Sequence, residues 1–303
     1  MQIPKVKLSD SGPELSQFIA GSMNWGSWGA DYKPTELARI IDSCFDVGMT
    51  TIDVADIYGH YTTEKLVGEA LSELNAPRES YELVGKCGIK LTTSNRPYHK
   101  LKSYDCSEAH IFQSVDTSLA DLQTDYLDVL LIHRPDPLLD VNEVAGAFEK
   151  LKSAGKVRHF AVSNFTPSQF KALHNAFPLV TNQVQCSPLH PDPIFDGTFD
   201  QLIGHSIRPM IWGPLGSGQY FSGGTTGVLR LRTAVREISD KYGGVGEDVV
   251  LLAWLLKHPS KPLPILGSTK IERLIRARLA LELELNREEW FAILEAGRGK
   301  EVA

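Results

Sequence analysis

Cysteine is scarce in this 303-residue chain: Cys44, Cys87, Cys106 and Cys186 form no close pair and no metal-type spacing. That excludes a disulfide framework and gives no reason to expect a zinc site or any other metal. Long apolar runs are missing too. The longest, VVLLAWLL at 249–256, is too short to span a bilayer, and the N-terminal MQIPKVKLSD has no apolar stretch of the secretory kind. The expectation is a cytoplasmic protein in a reducing compartment, with no membrane partner. Charge of one sign does not dominate: 31 Lys plus Arg against 37 Asp plus Glu leave a net charge of −6, so nothing draws the chain to nucleic acid in general. Linkers, low-complexity tracts and charge blocks are absent, and no G-x-G-x-x-G follows the first strand-like run. The last point weighs against an open dinucleotide-binding sheet.

What remains is an ordinary globular composition, 42% hydrophobic, on a chain long enough for two domains or one large α/β barrel. The pattern favours one continuous domain over residues 1–303. Eight short apolar runs read as strands at 18–21, 50–53, 81–86, 128–133, 158–163, 180–185, 207–212 and 262–267. Helical patterns lie between them. In the first, Leu37, Ile40, Ile41, Cys44 and Phe45 share one face between Pro34 and Gly48. Others read at about 63–74, 107–122, 141–153, 167–175, 228–242, 247–258 and 270–281. Strands as apolar as VLLI at 129–132 suit a parallel sheet covered on both faces. Eight alternations point to an α/β fold, the (β/α)₈ TIM barrel. The segment 3–20, with Ser9, Asp10, Ser11, Gly12 and Pro13 as turn residues, reads as a hairpin capping the barrel's N-terminal end.

In such a barrel the chemistry sits at the C-terminal ends of the strands. Three consecutive strands end there on titratable residues: Asp53 after TTI, Lys86 after YELVG and His133 after DVLLI, with Tyr58 in the loop beyond Asp53. Each has a bland role available, as cap, solvated charge or packing ring. Their convergence on one mouth argues for a proton-transfer device in which Lys86 and a histidine proton lower the Tyr58 pKa from about 10 and Asp53 holds the lysine. Such a tyrosine donates a proton to a carbonyl oxygen as hydride reaches the carbon.

These segments resemble the aldo-keto reductase superfamily along nearly the whole chain: TIDVADIYG at 51–59, VGKCG at 84–88 and LLIHRPD at 130–136 match its signature in order and spacing. The resemblance implies that Asp53, Tyr58, Lys86 and His133 form the catalytic tetrad, with Tyr58 as acid. It also implies an NADPH/NADP⁺ cofactor lying extended across the C-terminal face. Ser163 and Asn164 of VSNF, with Gln183, are expected at the nicotinamide carboxamide. Trp212 stands where many relatives stack a Tyr on the nicotinamide ring. Gly213, Leu215 and Ser217 of GPLGSG are expected at the pyrophosphate, and Ser22 and Met23 at the exit of the first strand.

After the last strand, Ser268, Lys270 and Arg273 are placed to meet a phosphate, which favours the 2′-phosphate of NADP over NAD. Arg276 and Ala277 replace the Glu-Asn pair with which many relatives hold adenine. Trp25, Trp28, Tyr61 and Arg134 are expected to wall the substrate pocket. The long segment 88–106 reads equally well as a substrate or oligomer loop and as a basic surface excursion.

The function expected is NADPH-dependent reduction of a small-molecule aldehyde or ketone. One rival is an NADPH-binding regulatory or sensor subunit with little turnover, of the kind some relatives form as ion-channel subunits. Another is a lyase or isomerase using Lys86 as a Schiff-base nucleophile. The carbonyl compound and the oligomeric state are not legible in the sequence.

Overall fold

The computed structural model describes residues 2–303. It opens with an antiparallel hairpin, β1 (Lys5–Lys7) and β2 (Glu14–Ser16). The chain then runs through β3 (Ile19–Gly21), α1 (Pro34–Asp46), β4 (Thr51–Asp53), α2 (Thr63–Leu74) and β5 (Glu82–Cys87). A small second hairpin follows, β6 (Ile89–Lys90) and β7 (Ser103–Tyr104). Next come α3 (Glu108–Leu122), β8 (Leu127–Ile132), α4 (Val141–Ser153), β9 (Val157–Ser163), α5 (Pro167–Ala176) and β10 (Asn182–Gln185). The last part holds α6 (Thr198–Gly204), β11 (Met210–Trp212), α7 (Gln219–Ser222), α8 (Thr226–Lys241), α9 (Glu247–Leu256), β12 (Leu263–Leu266), α10 (Ile271–Arg276) and α11 (Arg287–Arg298).

Eight of these strands close a parallel barrel in the order β3-β4-β5-β8-β9-β10-β11-β12 and back to β3. This is the (β/α)₈ barrel expected from the alternation of runs. All six residues of β5 and of β8 are buried, as strands sandwiched between a barrel interior and a helical layer must be. Several helices begin on side-chain caps. Asp140 accepts from Asn142 N and Glu143 N at the start of α4, and Thr166 with Gln169 forms a capping box at α5. The run VVLLAWLL lies in α9, buried almost throughout, and no helix among the described residues is long and apolar enough to cross a membrane.

The barrel interior holds Ile19, Val84, Val129, Leu131, Ala161, Val180, Met210, Leu263 and Ile265. Leu8 and Leu15 of the first hairpin are fully buried in the same cluster. They plug the N-terminal end, where Lys5 also pairs with Glu82 at the start of β5. That leaves the opposite end for a site. Register lines up its residues there: Gly21 faces Asp53, Lys86 faces Leu131, Gln183 faces Ser163, and Gln185 faces Trp212.

Candidate active site

The loop leaving β4 sets the first side chain. Tyr58 begins a single turn of 3₁₀ helix (Tyr58–His60), in which Gly59 and His60, like Tyr61 that ends it, take left-handed backbone (φ 57°, 58° and 69°). Two of the three are not glycine, so the surroundings must hold the turn. The Tyr61 hydroxyl helps to do so, accepting from Leu91 N (2.9 Å) and donating to Ile89 O (3.3 Å). A side chain at Gly59 would collide with Thr63 Oγ1. Tyr58 is thereby turned back over the barrel mouth.

Beneath it lies Lys86, only 1% exposed. Its Nζ donates to Asp53 Oδ1 (2.6 Å), Val54 O (2.7 Å) and Tyr58 Oη (3.2 Å). The other Asp53 oxygen accepts from Gln183 Nε2 at 2.7 Å. A buried ion pair is tolerable only when its remaining donors and acceptors are satisfied, and here they are. The His133 ring meets the Tyr58 ring edge-on, with centroids 5.9 Å apart. The structure therefore brings together all four of the residues read from the strand ends.

Their electrostatics differ in one respect from the expectation. Burial raises the Tyr58 pKa above the ordinary tyrosine value, against the opposing pull of Lys86, because the Asp53 charge offsets part of that pull. His133 cannot supply the missing charge. Burial, with Lys86 and Arg134 nearby, holds its pKa well below the usual histidine value, so it is a neutral imidazole. The phenol is a hydroxyl at neutral pH, and the Lys86 ammonium, whose pKa is raised by Asp53 and Tyr58 against its own burial, remains charged.

A cavity of about 930 Å³ opens above these groups. Of the residues read from sequence, Met23, Trp28, Asp53, Tyr58, His133, Arg134, Ser163, Asn164, Gln183, Trp212, Gly213, Leu215, Ser217, Ser268, Lys270 and Arg273 line it. Four do not. Lys86 is sealed below Tyr58, which removes the accessible amine that a Schiff-base reaction needs. Ser22 is fully buried with its hydroxyl on Asp53 O (2.8 Å), so it braces β4 instead of facing the cavity. Trp25, also fully buried, packs in the core between barrel and helices. Tyr61 is spent on the loop at Ile89 and Leu91.

Ser163 and Asn164 are bonded mainly to their neighbours. Ser163 Oγ donates to Gln183 O (2.9 Å), Asn164 Nδ2 donates to Ser163 Oγ (2.6 Å), and Asn164 Oδ1 accepts from Trp212 Nε1 (2.9 Å). Asp53, Gln183, Ser163, Asn164 and Trp212 thus form one linked chain along the mouth. Segment 88–106 resolves in favour of a pocket wall, since Ile89, Leu91, Lys102 and Tyr104 line the cavity. Sequence reasoning missed Asn24, Phe221 and Asp248 in the lining. Asp248 carried no sequence signal, and its role is clear only from the Arg276 fork that it receives at 2.7 Å and 3.1 Å.

The chain as a whole is similar to known proteins. The model of the Aldo/keto reductase family matches residues 17–298. The chain belongs to that family. As an aldo-keto reductase it is an oxidoreductase. It is 43% identical to the oxidoreductase YdhF of Escherichia coli, with 99% of each chain covered. It is 40% identical to a 6-dehydroglucose reductase of Agrobacterium fabrum, again over 99% of each. Among solved structures, the aldo/keto reductase from Klebsiella pneumoniae in complex with NADP and acetate superposes with a TM-score of 0.77 at 26% identity, covering 96% of this chain and 95% of that one.

Proposed function

We propose that this aldo-keto reductase, its whole chain acting as one barrel domain, reduces a small-molecule aldehyde or ketone to the alcohol with Tyr58 as general acid. The observation that carries the reading is the buried contact of Tyr58 Oη with Lys86 Nζ, itself fixed by Asp53. The cofactor is NADP(H). The residues fit it: Lys270 and Arg273 bring two cations, Trp212 an aromatic ring and Tyr58 its hydroxyl to the lining of one cavity. When bound, the nicotinamide supplies the hydride. Lys270 and Arg273 with Ser268 would hold the 2′-phosphate, and the backbone of Gly213, Leu215 and Ser217 the pyrophosphate.

The chain's own part is to bind, orient and protonate. Its raised pKa keeps the Tyr58 proton in place until negative charge grows on the carbonyl oxygen, and an alkoxide is basic enough to take it. The Lys86 ammonium stabilises the phenolate left behind, and Asp53 keeps that ammonium charged and aimed. Neutral His133 serves as a hydrogen-bond partner that orients the carbonyl, not as a cation. The kinship with a 6-dehydroglucose reductase makes hydrophilic sugar-derived aldehydes the first compounds to try.

The test is NADPH consumption by wild type and Tyr58→Phe over a panel of aromatic, aliphatic and sugar-derived carbonyls. Tyr58→Phe is expected to lose at least about a hundredfold in kcat, the usual worth of a positioned acid, while NADPH Kd changes little. Tight NADPH binding with no turnover on any carbonyl would favour a sensor subunit instead.

A further inference from the structure

Arg134 follows His133 at the end of β8, where it is half-buried, lines the cavity, and has its guanidinium carbon 5.5 Å from the centre of the Trp212 ring. It makes no hydrogen bond or ion pair among the described residues. Arg78, also partly withdrawn from solvent, by contrast binds Asp128, Tyr81 O and Tyr126 O. Nearby carboxylates are committed elsewhere. Asp53 serves Lys86 and Gln183, Asp105 serves Lys90 and Ser107, and Asp136 accepts from Cys106 N and Leu138 N. A guanidinium with five donors, partly withdrawn from water and given no protein acceptor, is free to bind one that something else supplies.

We infer that the substrate carries an oxyanion, a carboxylate or its equivalent, besides the carbonyl, and that Arg134 binds it with Lys102 assisting. The inference rests on the reading of this site as a carbonyl reductase and names its substrate class. Lys102 lines the same cavity from the excursion between β6 and β7 and likewise has no partner among the described residues. Ile57, Ile89, Leu91 and Trp28 make the surrounding wall apolar, so a charge pair formed there is less screened than at an open surface. A planar guanidinium fork matches a carboxylate bidentately. The cofactor's 2′-phosphate is a poor match for position: β8 lies opposite β12 in the barrel order, and Ser268, Lys270 and Arg273, expected at that phosphate, follow β12.

The experiment compares two ligands that differ only in a carboxylate for a methyl group, 4-(hydroxymethyl)benzoate and 4-methylbenzyl alcohol. Each is titrated into the NADP⁺ complex of wild type, Arg134→Met and Arg134→Lys, with binding read by tryptophan fluorescence. The corresponding aldehydes are assayed in parallel for kcat/KM, and NADP⁺ Kd is measured for every variant. Wild type is expected to favour the carboxylate by about tenfold or more, equivalent to about 1.4 kcal/mol. Arg134→Met should abolish the preference and Arg134→Lys restore part of it. A wild type without preference, or a preference that survives Arg134→Met, overturns the inference. So does a weakened NADP⁺ Kd with the ligand ratio unchanged, which would assign Arg134 to the cofactor. Carboxylate selectivity in binding without hydride transfer to either aldehyde would keep the anion site and defeat the reductase reading.

Discussion

An indole at position 212 brings an N–H that must be satisfied, and Asn164 Oδ1 satisfies it at 2.9 Å. The same asparagine has left-handed backbone (φ 60°) and donates to Ser163 Oγ, so its conformation, the indole plane and the serine are set together. Asn164→Ala should therefore act through Trp212. It leaves the indole donor without its partner, a loss of about 1–3 kcal/mol where the donor stays buried, and frees the ring to rotate. The expected outcome is NADPH Kd raised severalfold with kcat at saturation changed less, measured by fluorescence titration and steady-state kinetics. An unchanged Kd would mean that the ring orientation is held by packing alone. Residues of this kind mark how far sequence reading reaches. Asp53, Tyr58, Lys86 and His133 were legible because each ends a strand or begins the loop beyond it, and the barrel puts all such positions at one mouth. Trp25 and Tyr61 were misplaced because loop residues a few positions apart can face core, cavity or neighbouring loop, and no periodicity tells which.

Helices α2 and α3 meet so closely that a Cβ at Gly68 would lie 2.2 Å from Asp121 O, and this contact closes over two buried carboxyls. Glu64 of α2 accepts from Ser118 Oγ of α3 at 2.8 Å through one oxygen, while its other oxygen and Asp56 Oδ1 are buried without partners. Burial first, and the Asp56 charge second, push the Glu64 pKa up to about 8; burial lifts Asp56 to about 7. The sign follows. A carboxyl whose folded pKa exceeds its unfolded value of about 4.3 holds its proton more tightly in the folded state. Its contribution is complete below that value and is lost as pH rises towards about 8. Glu64→Gln mimics the protonated form and keeps an acceptor for Ser118. The Tm of the variant minus that of wild type should thus grow steadily from about pH 5 to about pH 8, by several degrees. A difference that is flat or shrinks over this range would show that Glu64 is already ionised in the fold. The helices themselves were readable, α1 from Pro34, Gly48 and its apolar stripe and α2 and α3 from their helical patterns, whereas nothing in the pattern told a buried Glu64 from a solvated one.

Across the whole molecule charge is unevenly spread: the net charge is −6, yet Lys102, Arg134, Lys270 and Arg273 all line one cavity. The barrel makes this separation possible, because the hairpin residues Leu8 and Leu15 close one end and leave every strand-end side chain at the other. The hairpin was legible from its turn residues and the barrel from eight alternating runs. The excursion at 88–106 was not, since its place over the mouth depends on the contacts of Tyr61 with Ile89 and Leu91. An anionic protein with a cationic mouth should bind an anionic cofactor through a local field, which salt weakens. NADPH carries a 2′-phosphate that NADH lacks, so its binding should be the more salt-sensitive. Between ionic strengths of about 0.05 M and about 0.5 M, where screening shortens severalfold in range, NADPH Kd should rise by a larger factor than NADH Kd. Replacing both Lys270 and Arg273 by Ala should bring the two salt slopes together and reduce the preference for NADPH, with the excess slope a direct count of the charge that meets the 2′-phosphate. Equal slopes in wild type would mean that the phosphate lies clear of both side chains, and the cofactor preference would then have to be set by other groups of the lining, such as the Arg276 and Asp248 pair.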